Sequence, residues 1–299
     1  MRVATETLFR TSTGSMQAHT TQLAKVQQQI SSGRQFQHAH EAPGAAASVM
    51  EWEAALARID AQSDAAGRAE HRLGLTENAL DDARLIMERT QELLISAGNG
   101  AFNDQDRALV AVELEGLSAE WRALANRDDG SGQPLFGGTA LGPAFDAAGA
   151  YQGSPDTRRI EVADGQQVRD GVAGDRVFGT VQGQSSFAWL DAAALAVRET
   201  DPALRRAAMD NVQSGLSALA LNTETMRTEV GVQRAALDRA STWRDTASSG
   251  LTQSLARLRD TDLIDAATQL SRHSTQLSAA QTAYPVSYTH LRAHETSLH

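Results

Sequence analysis

The 299-residue chain predicts a mainly α fold. Its N- and C-terminal halves would form an elongated antiparallel helical rod, coiled-coil-like, with a small inserted β-rich module. Three observations predict it. Apolar residues recur every seven positions from Trp52 to Leu94, and a repeat that strict keeps one face only when the helix packs along its length. Narrow seams of the same kind occupy both ends of the chain. Between residues 131 and 185 the heptads vanish, glycine rises and short alternating stretches take over.

Composition limits the function classes. Apolar residues make up 41%, enough for a core, but aromatics only 5%, which favours thin helical packing over a large globular interior. A formal net charge of −10 argues against a general binder of nucleic acid or anionic membrane, since phosphate recognition needs clustered Lys and Arg. Cysteine is absent, which removes disulfides, Cys-ligated metals and thiol catalysis. No run reaches the length of a membrane span, and "MRVATETLFRTSTGSM" lacks the apolar core of a cleavable signal.

The elements follow in order. Residues 1–40 hold a first helix. Phe9, Met16, Leu23 and Ile30 fall seven apart with Val26 on the same seam, and the other faces are Gln, Thr and Ser. Such a helix buries little alone and needs a partner; Gly33 would end it in the left-handed conformation. Residues 41–130 hold the first half of the rod. Trp52, Ile59, Ala66, Leu73, Leu80, Met87 and Leu94 form its seam, followed by the "SAGNG" stop and a further helix from about Asp104 to Asn126, capped by Asn103 or Asp104. Residues 131–185 form the module, where "RRIEV" and "QQVRDGV" flank Asp164-Gly165, a strong hairpin signal; "DRVFGTV" reads as a further strand. Residues 186–254 return to helix, with a fresh start at Asp201-Pro202. A helical stretch then runs on toward Ala283, and residues 255–284 carry Leu263, Leu270, Leu277 and Tyr284 seven apart. The terminal seams are expected to pair with each other and to complete their packing against neighbouring subunits. Their candidate assembly residues are Phe9, Met16, Leu23, Val26, Ile30, Leu263, Leu270, Leu277 and Tyr284. Pro285 should break the helix, and residues 285–299 form an atypical tail with no apolar repeat, foreign-looking beside the rest.

In this order and spacing, several motifs resemble the bacterial flagellin family, most closely its hook–filament junction members. They are the "MRVAT" start, the "QQISSGRQF" stop, "TENALDDARLIMERTQELLISAGNG", the Phe136-Gly137-Gly138-Thr139 exit and the Tyr151-Gln152-Gly153 turn. The resemblance runs from Met1 to about Tyr284 and departs at two places. Glu41-Ala42-Pro43 stands where the family usually has Asp-Asp-Pro, and the tail replaces an apolar helix end. A filament flagellin is an alternative, against which the exit, the turn, the start and the small insertion weigh. A free-standing secreted coiled-coil protein is another. The resemblance implies a structural adaptor, exported unfolded through the flagellar channel and located in the extracellular flagellum. It implies that subunits form a ring with copies of themselves, between a neighbouring hook-associated protein and flagellin. It also implies an export chaperone on the C-terminal helix, Leu255 to Tyr284.

Chemistry-bearing residues yield no catalytic, cofactor or metal set. His38 and His40 lie two apart in a polar loop without a third ligand; His290 and His294 sit in the tail without the Glu of a zinc motif. "LFGGTALG" lacks the Gly-Lys-Ser/Thr of a phosphate loop and reads as a turn. Asp81-Asp82 point apart on a helix and, like the turn pair Asp128-Asp129, should be solvated. Residues 131–185 contain no His and no nucleophile–base–acid set.

Overall fold

The computed structural model describes the backbone of residues 2–99 and 102–296 and the side chains of 7, 9–99 and 102–283. Helices α1 (Arg2–Ser32), α2 (Pro43–Ala97), α3 (Asp104–Ala125), α4 (Asp175–Phe178), α5 (Ser186–Arg198), α6 (Pro202–Arg259) and α7 (Leu263–Thr296) carry most of the chain. Strands β1 (Arg159–Ala163), β2 (Gln166–Arg169), β3 (Thr180–Val181) and β4 (Gln184–Ser185) make two antiparallel hairpins. The helices contribute to two compact units, Met1–Ala57 with Ala247–His299, and Arg58–Thr246.

In the larger unit, the seven-residue repeat of α2 is buried. Leu73, Leu80, Met87 and Leu94 are each under 3% exposed, within one core with Val212, Leu216, Leu219, Met226 and Val230 of α6. With the buried Thr223 between Leu219 and Met226, the α6 residues step by threes and fours, a seam that the long helical reading left unmarked. Asp81 meets Arg227 and Glu77 meets Arg234, so α2 and α6 run antiparallel here. Helix α3 starts where Asn103 accepts from Asp106 N–H at 2.8 Å; it packs on α5, to which Trp121 Nε1 donates at Ser186 Oγ, and buries Trp121, Leu114 and Leu124.

The inserted module contains less strand than its alternation suggests. Gly165, at φ +71°, turns β1 into β2 as Asp-Gly hairpins do. "DRVF", expected as strand, instead forms the single turn α4, with the N–H groups of Val177 and Phe178 donating to Gly174 O. What fills the module is aromatic. Phe178 meets Trp121 and Phe136 edge-on, each at 4.9 Å between ring centres, and Phe145 packs on Tyr151 and Phe187. Six of the fourteen aromatic residues collect here, which is why so small a share of the chain can support a core.

Two of the motifs that carry the resemblance, the exit at Phe136-Gly137-Gly138-Thr139 and the turn at Tyr151-Gln152-Gly153, hold each other. Tyr151 Oη lies 3.0 Å from Phe136 O and 2.9 Å from Ser154 O, and it accepts from Gly174 N–H. Burial pushes the Tyr151 hydroxyl above its usual pKa and keeps it a donor. A Cβ on Gly138, at φ +63°, would stand 2.1 Å from Ser154 O, so no side chain fits there. Gly138→Ala is expected to cost more than about 2 kcal/mol from strain and overlap together. Gly165→Asn should cost only a few tenths, because Asn tolerates this conformation and nothing lies within 4 Å of its Cβ. Paired thermal melts of the two variants test this.

In the smaller unit, α1 and α7 pack together antiparallel. Two features differ from expectation. The C-terminal helical stretch is broken at Asp260–Asp262, where Asp262 Oδ1 accepts from the N–H groups of Ile264 and Asp265 and starts α7. And α7 continues past Pro285 to Thr296. A proline removes one hydrogen bond and strains one turn at a cost of about 3 kcal/mol, which leaves helix free to form on either side of it.

Candidate assembly interface

The Ser-Ser-Gly stop and the break between α6 and α7 are opposite sides of one structure. Gly33, at φ +68°, ends α1. The next residues pair in β fashion with the α6–α7 link: Gln35 N–H donates to Arg259 O at 2.7 Å, Thr261 N–H donates to Gly33 O at 2.9 Å, and Arg34 bridges Asp260. Each backbone interruption thus supplies the partners that the other lost at its helix end. On the far side of the loop, Glu41 accepts from the N–H groups of Gln37 and His38. Glu41 therefore keeps a capping duty in the loop before Pro43, although the family's second acid is missing.

From that point the terminal helices pair along a seam that is only partly closed. Val26 and Ala266 are 3% and 4% exposed. Met16, Leu23, Ile30, Leu270 and Leu277 are half-buried, while Phe9 and Leu263 are 48% and 56% exposed and Ile264, beside Leu263, is 82% exposed. The side chain of Tyr284 lies outside the described residues. A two-helix layer cannot cover all round what a seam of this kind presents. Phe9, Leu263 and Ile264 thus leave large apolar side chains open along the helix pair.

Other residues that sequence suggested for chemistry have structural partners. Asp81 pairs with Arg227 and Asp82 with Arg127, in different directions. Asp129 is not solvated: its side chain is 16% exposed and joins Arg72 at 2.9 Å. Residues 136–142 form a turn, as expected. His38 and His40 stack their rings in near-parallel planes, and among the described residues no three His, Asp or Glu converge as a metal set. No described helix is long and apolar enough to cross a membrane.

The cluster that sequence did not reveal surrounds Arg72. Its guanidinium donates to Asp129 and to the carbonyls of Pro134 and Leu135, and it lies 3.8 Å from Asp170, which also binds Arg158. These partners are 57 to 98 residues away in sequence, so no local pattern announces them. Burial pulls the Arg72 pKa down, against Asp170 and Asp129, which raise it.

Three carboxylates ionise more readily than usual. Burial works against Asp129, but hydrogen bonds from Ser131 and Gln133 and the charge of Arg72 outweigh it. Backbone N–H groups, first those of Ala150 and Leu204 respectively, hold Asp146 and Asp201 low. A carboxylate with a depressed folded pKa contributes stability above its unfolded value of about 3.9 and loses it as pH falls through the folded one. The melting temperature of the larger unit should therefore be flat from neutral pH to about 5 and fall below about 4. Melts across that range, repeated on Asp129→Asn, should show a shallower acid slope in the variant.

Comparison with known proteins agrees with this architecture. Residues 4–140 match the bacterial flagellin N-terminal helical region. The whole chain is similar, at 26% identity across 95% of both chains, to flagellar hook-associated protein 3 of Escherichia coli K12. The flagellar filament 41 kDa core protein of Borreliella burgdorferi is 26% identical over only 35% of this chain and 31% of its own. In fold, a putative flagellar hook-associated protein from Vibrio parahaemolyticus superposes with a TM-score of 0.69, at 19% identity, over 74% of this chain and 100% of its own.

Proposed function

We propose that this chain is a structural subunit of the bacterial flagellum, the adaptor that joins the hook to the filament, and not an enzyme. The observation that carries the reading is the end-to-end similarity to a hook-associated protein, over 95% of both chains. Similarity to a filament protein reaches only about a third of the length. In this reading residues 1–40 and 255–284 are the assembly helices, 41–130 and 186–254 the two halves of the rod, and 131–185 an outward module. Phe9, Met16, Leu23, Val26, Ile30, Leu263, Leu270, Leu277 and Tyr284 meet neighbouring copies in a ring. A second hook-associated protein lies on one side of the ring and flagellin on the other. The chain travels unfolded through the flagellar channel to an extracellular position, with a chaperone on the C-terminal helix beforehand.

The half-open seam of α1 and α7 gives this a physical basis. A helix pair that buries only part of its apolar surface barely offsets the conformational entropy of ordering it. It therefore orders fully when neighbours cover the rest, and subunits do not polymerise before they arrive. Limited proteolysis of the purified protein tests this. Both ends should be lost first, leaving a stable fragment near residues 45–255. Equal resistance along the whole chain would mean that the seams are already satisfied, and the adaptor reading would give way to a free-standing coiled coil.

A further inference from the structure

We propose that His19 and His273 form a binding site for a soft, monovalent late transition-metal ion of the Cu(I) class, which ties α1 to α7. Their rings face each other across the helix pair with centres 5.9 Å apart and planes inclined at 42°. Metal–imidazole bonds of about 2.0–2.1 Å on either side of a shared ion set two ring centres about 5 to 6.5 Å apart. The observed spacing lies inside that range. A second observation points the same way: His273 Nδ1 is buried and has no hydrogen-bond partner. A buried imidazole nitrogen without a partner is a polar atom that a ligand could satisfy, and imidazole is the commonest metal ligand among side chains.

The neighbouring residues select the kind of ion. Met16 stands one turn before His19 on the same seam and offers a thioether as a third, soft donor. Neither α1 over residues 12–26 nor α7 over 266–280 contains an Asp or Glu; the charged groups there are Lys25 and Arg272. With only neutral donors and positive neighbours, a divalent ion would go uncompensated. Thioether and imidazole together favour Cu(I) over harder ions. The other histidine pair, His38 and His40, has a similar spacing of 5.5 Å, but its rings are stacked face to face at 9° in an exposed loop, and neither has a buried nitrogen left without a partner.

The inference rests on the pairing of α1 with α7 and is independent of the flagellar reading. It is tested on the full chain by anaerobic Cu(I) titration against a chromophoric competitor such as bathocuproine. One equivalent should bind. His19→Gln and His273→Gln should each weaken binding tenfold or more, and Met16→Leu by less. A variant carrying His38→Gln, His40→Gln, His290→Gln and His294→Gln should bind as the parent does. Bound Cu(I) should also raise the protease resistance of residues 5–30 in the parent and not in His273→Gln. No uptake by the full chain, or unchanged affinity in either single variant of the pair, would overturn the proposal.

Discussion

Arg72→Ala should destabilise the larger unit by about 3–5 kcal/mol, the range for breaking one side of a buried charge network. The guanidinium side chain is 7% exposed and Asp170 opposite it 6%. Removing Arg72 strands the Pro134 and Leu135 carbonyls, takes the guanidinium from Asp129 and leaves Asp170 with Arg158 alone. It also empties the space that the side chain filled between α2 and the loop leaving α3. Arg72→Lys keeps the charge but loses the planar fork that reaches a carboxylate and two carbonyls together, so it should recover only part of the loss. Arg84→Ala serves as the control: Arg84 pairs with Glu88 along the exposed face of the same helix, and such a pair contributes about 0.3–0.5 kcal/mol. Denaturant melts followed by the fluorescence of the buried Trp121 and Trp189 separate the cases. If Arg72→Ala melts like Arg84→Ala, the cluster is not what joins the module to its helices.

How far each feature could be read from sequence depends on how local its cause is. The α2 seam was legible because each of Leu73, Leu80, Met87 and Leu94 reports the same fact, burial on one face, at a fixed period. Asn103 as a cap, Asp164-Gly165 as a hairpin and Pro202 as a helix start were legible because each depends on its own backbone neighbourhood. The break at Asp260–Asp262 was not. Leucines at 255, 258, 263 and 270 continue the apolar pattern through it, and what fixes it is the backbone pairing with Gly33–Gln35 from the opposite end of the chain. The Arg72 cluster and the His19–His273 pair were hidden for the same reason. The family motifs were recognisable before they were explained, and the 2.1 Å approach at Gly138 supplies the explanation: a residue that admits no side chain cannot vary.

Val26→Asp should abolish assembly while leaving the larger unit intact. Val26 is the most buried apolar residue described on α1, and Ala266 is the most buried on α7. They close the seam near the end where Gly33 and Asp260 join the two helices. An aspartate there would carry its charge into a position that is 3% exposed in the native chain. A buried, unpaired polar group costs about 2 kcal/mol or more even when partly compensated, and an unpaired charge costs more. About 3 kcal/mol would lower the ratio of paired to unpaired helices more than a hundredfold. Gln17→Asp, on an exposed position of the same helix, adds the same charge without burying it and should assemble normally. Complementation of a bacterium lacking its own junction subunit reads the difference directly. Cells with Gln17→Asp should carry attached filaments and swim. Cells with Val26→Asp should release flagellin into the medium, although the purified variant still yields the protease-stable fragment near residues 45–255. Normal filaments on Val26→Asp cells would show that α1 and α7 need not pair in the assembled flagellum. The terminal seams would then have to act on neighbouring subunits one helix at a time.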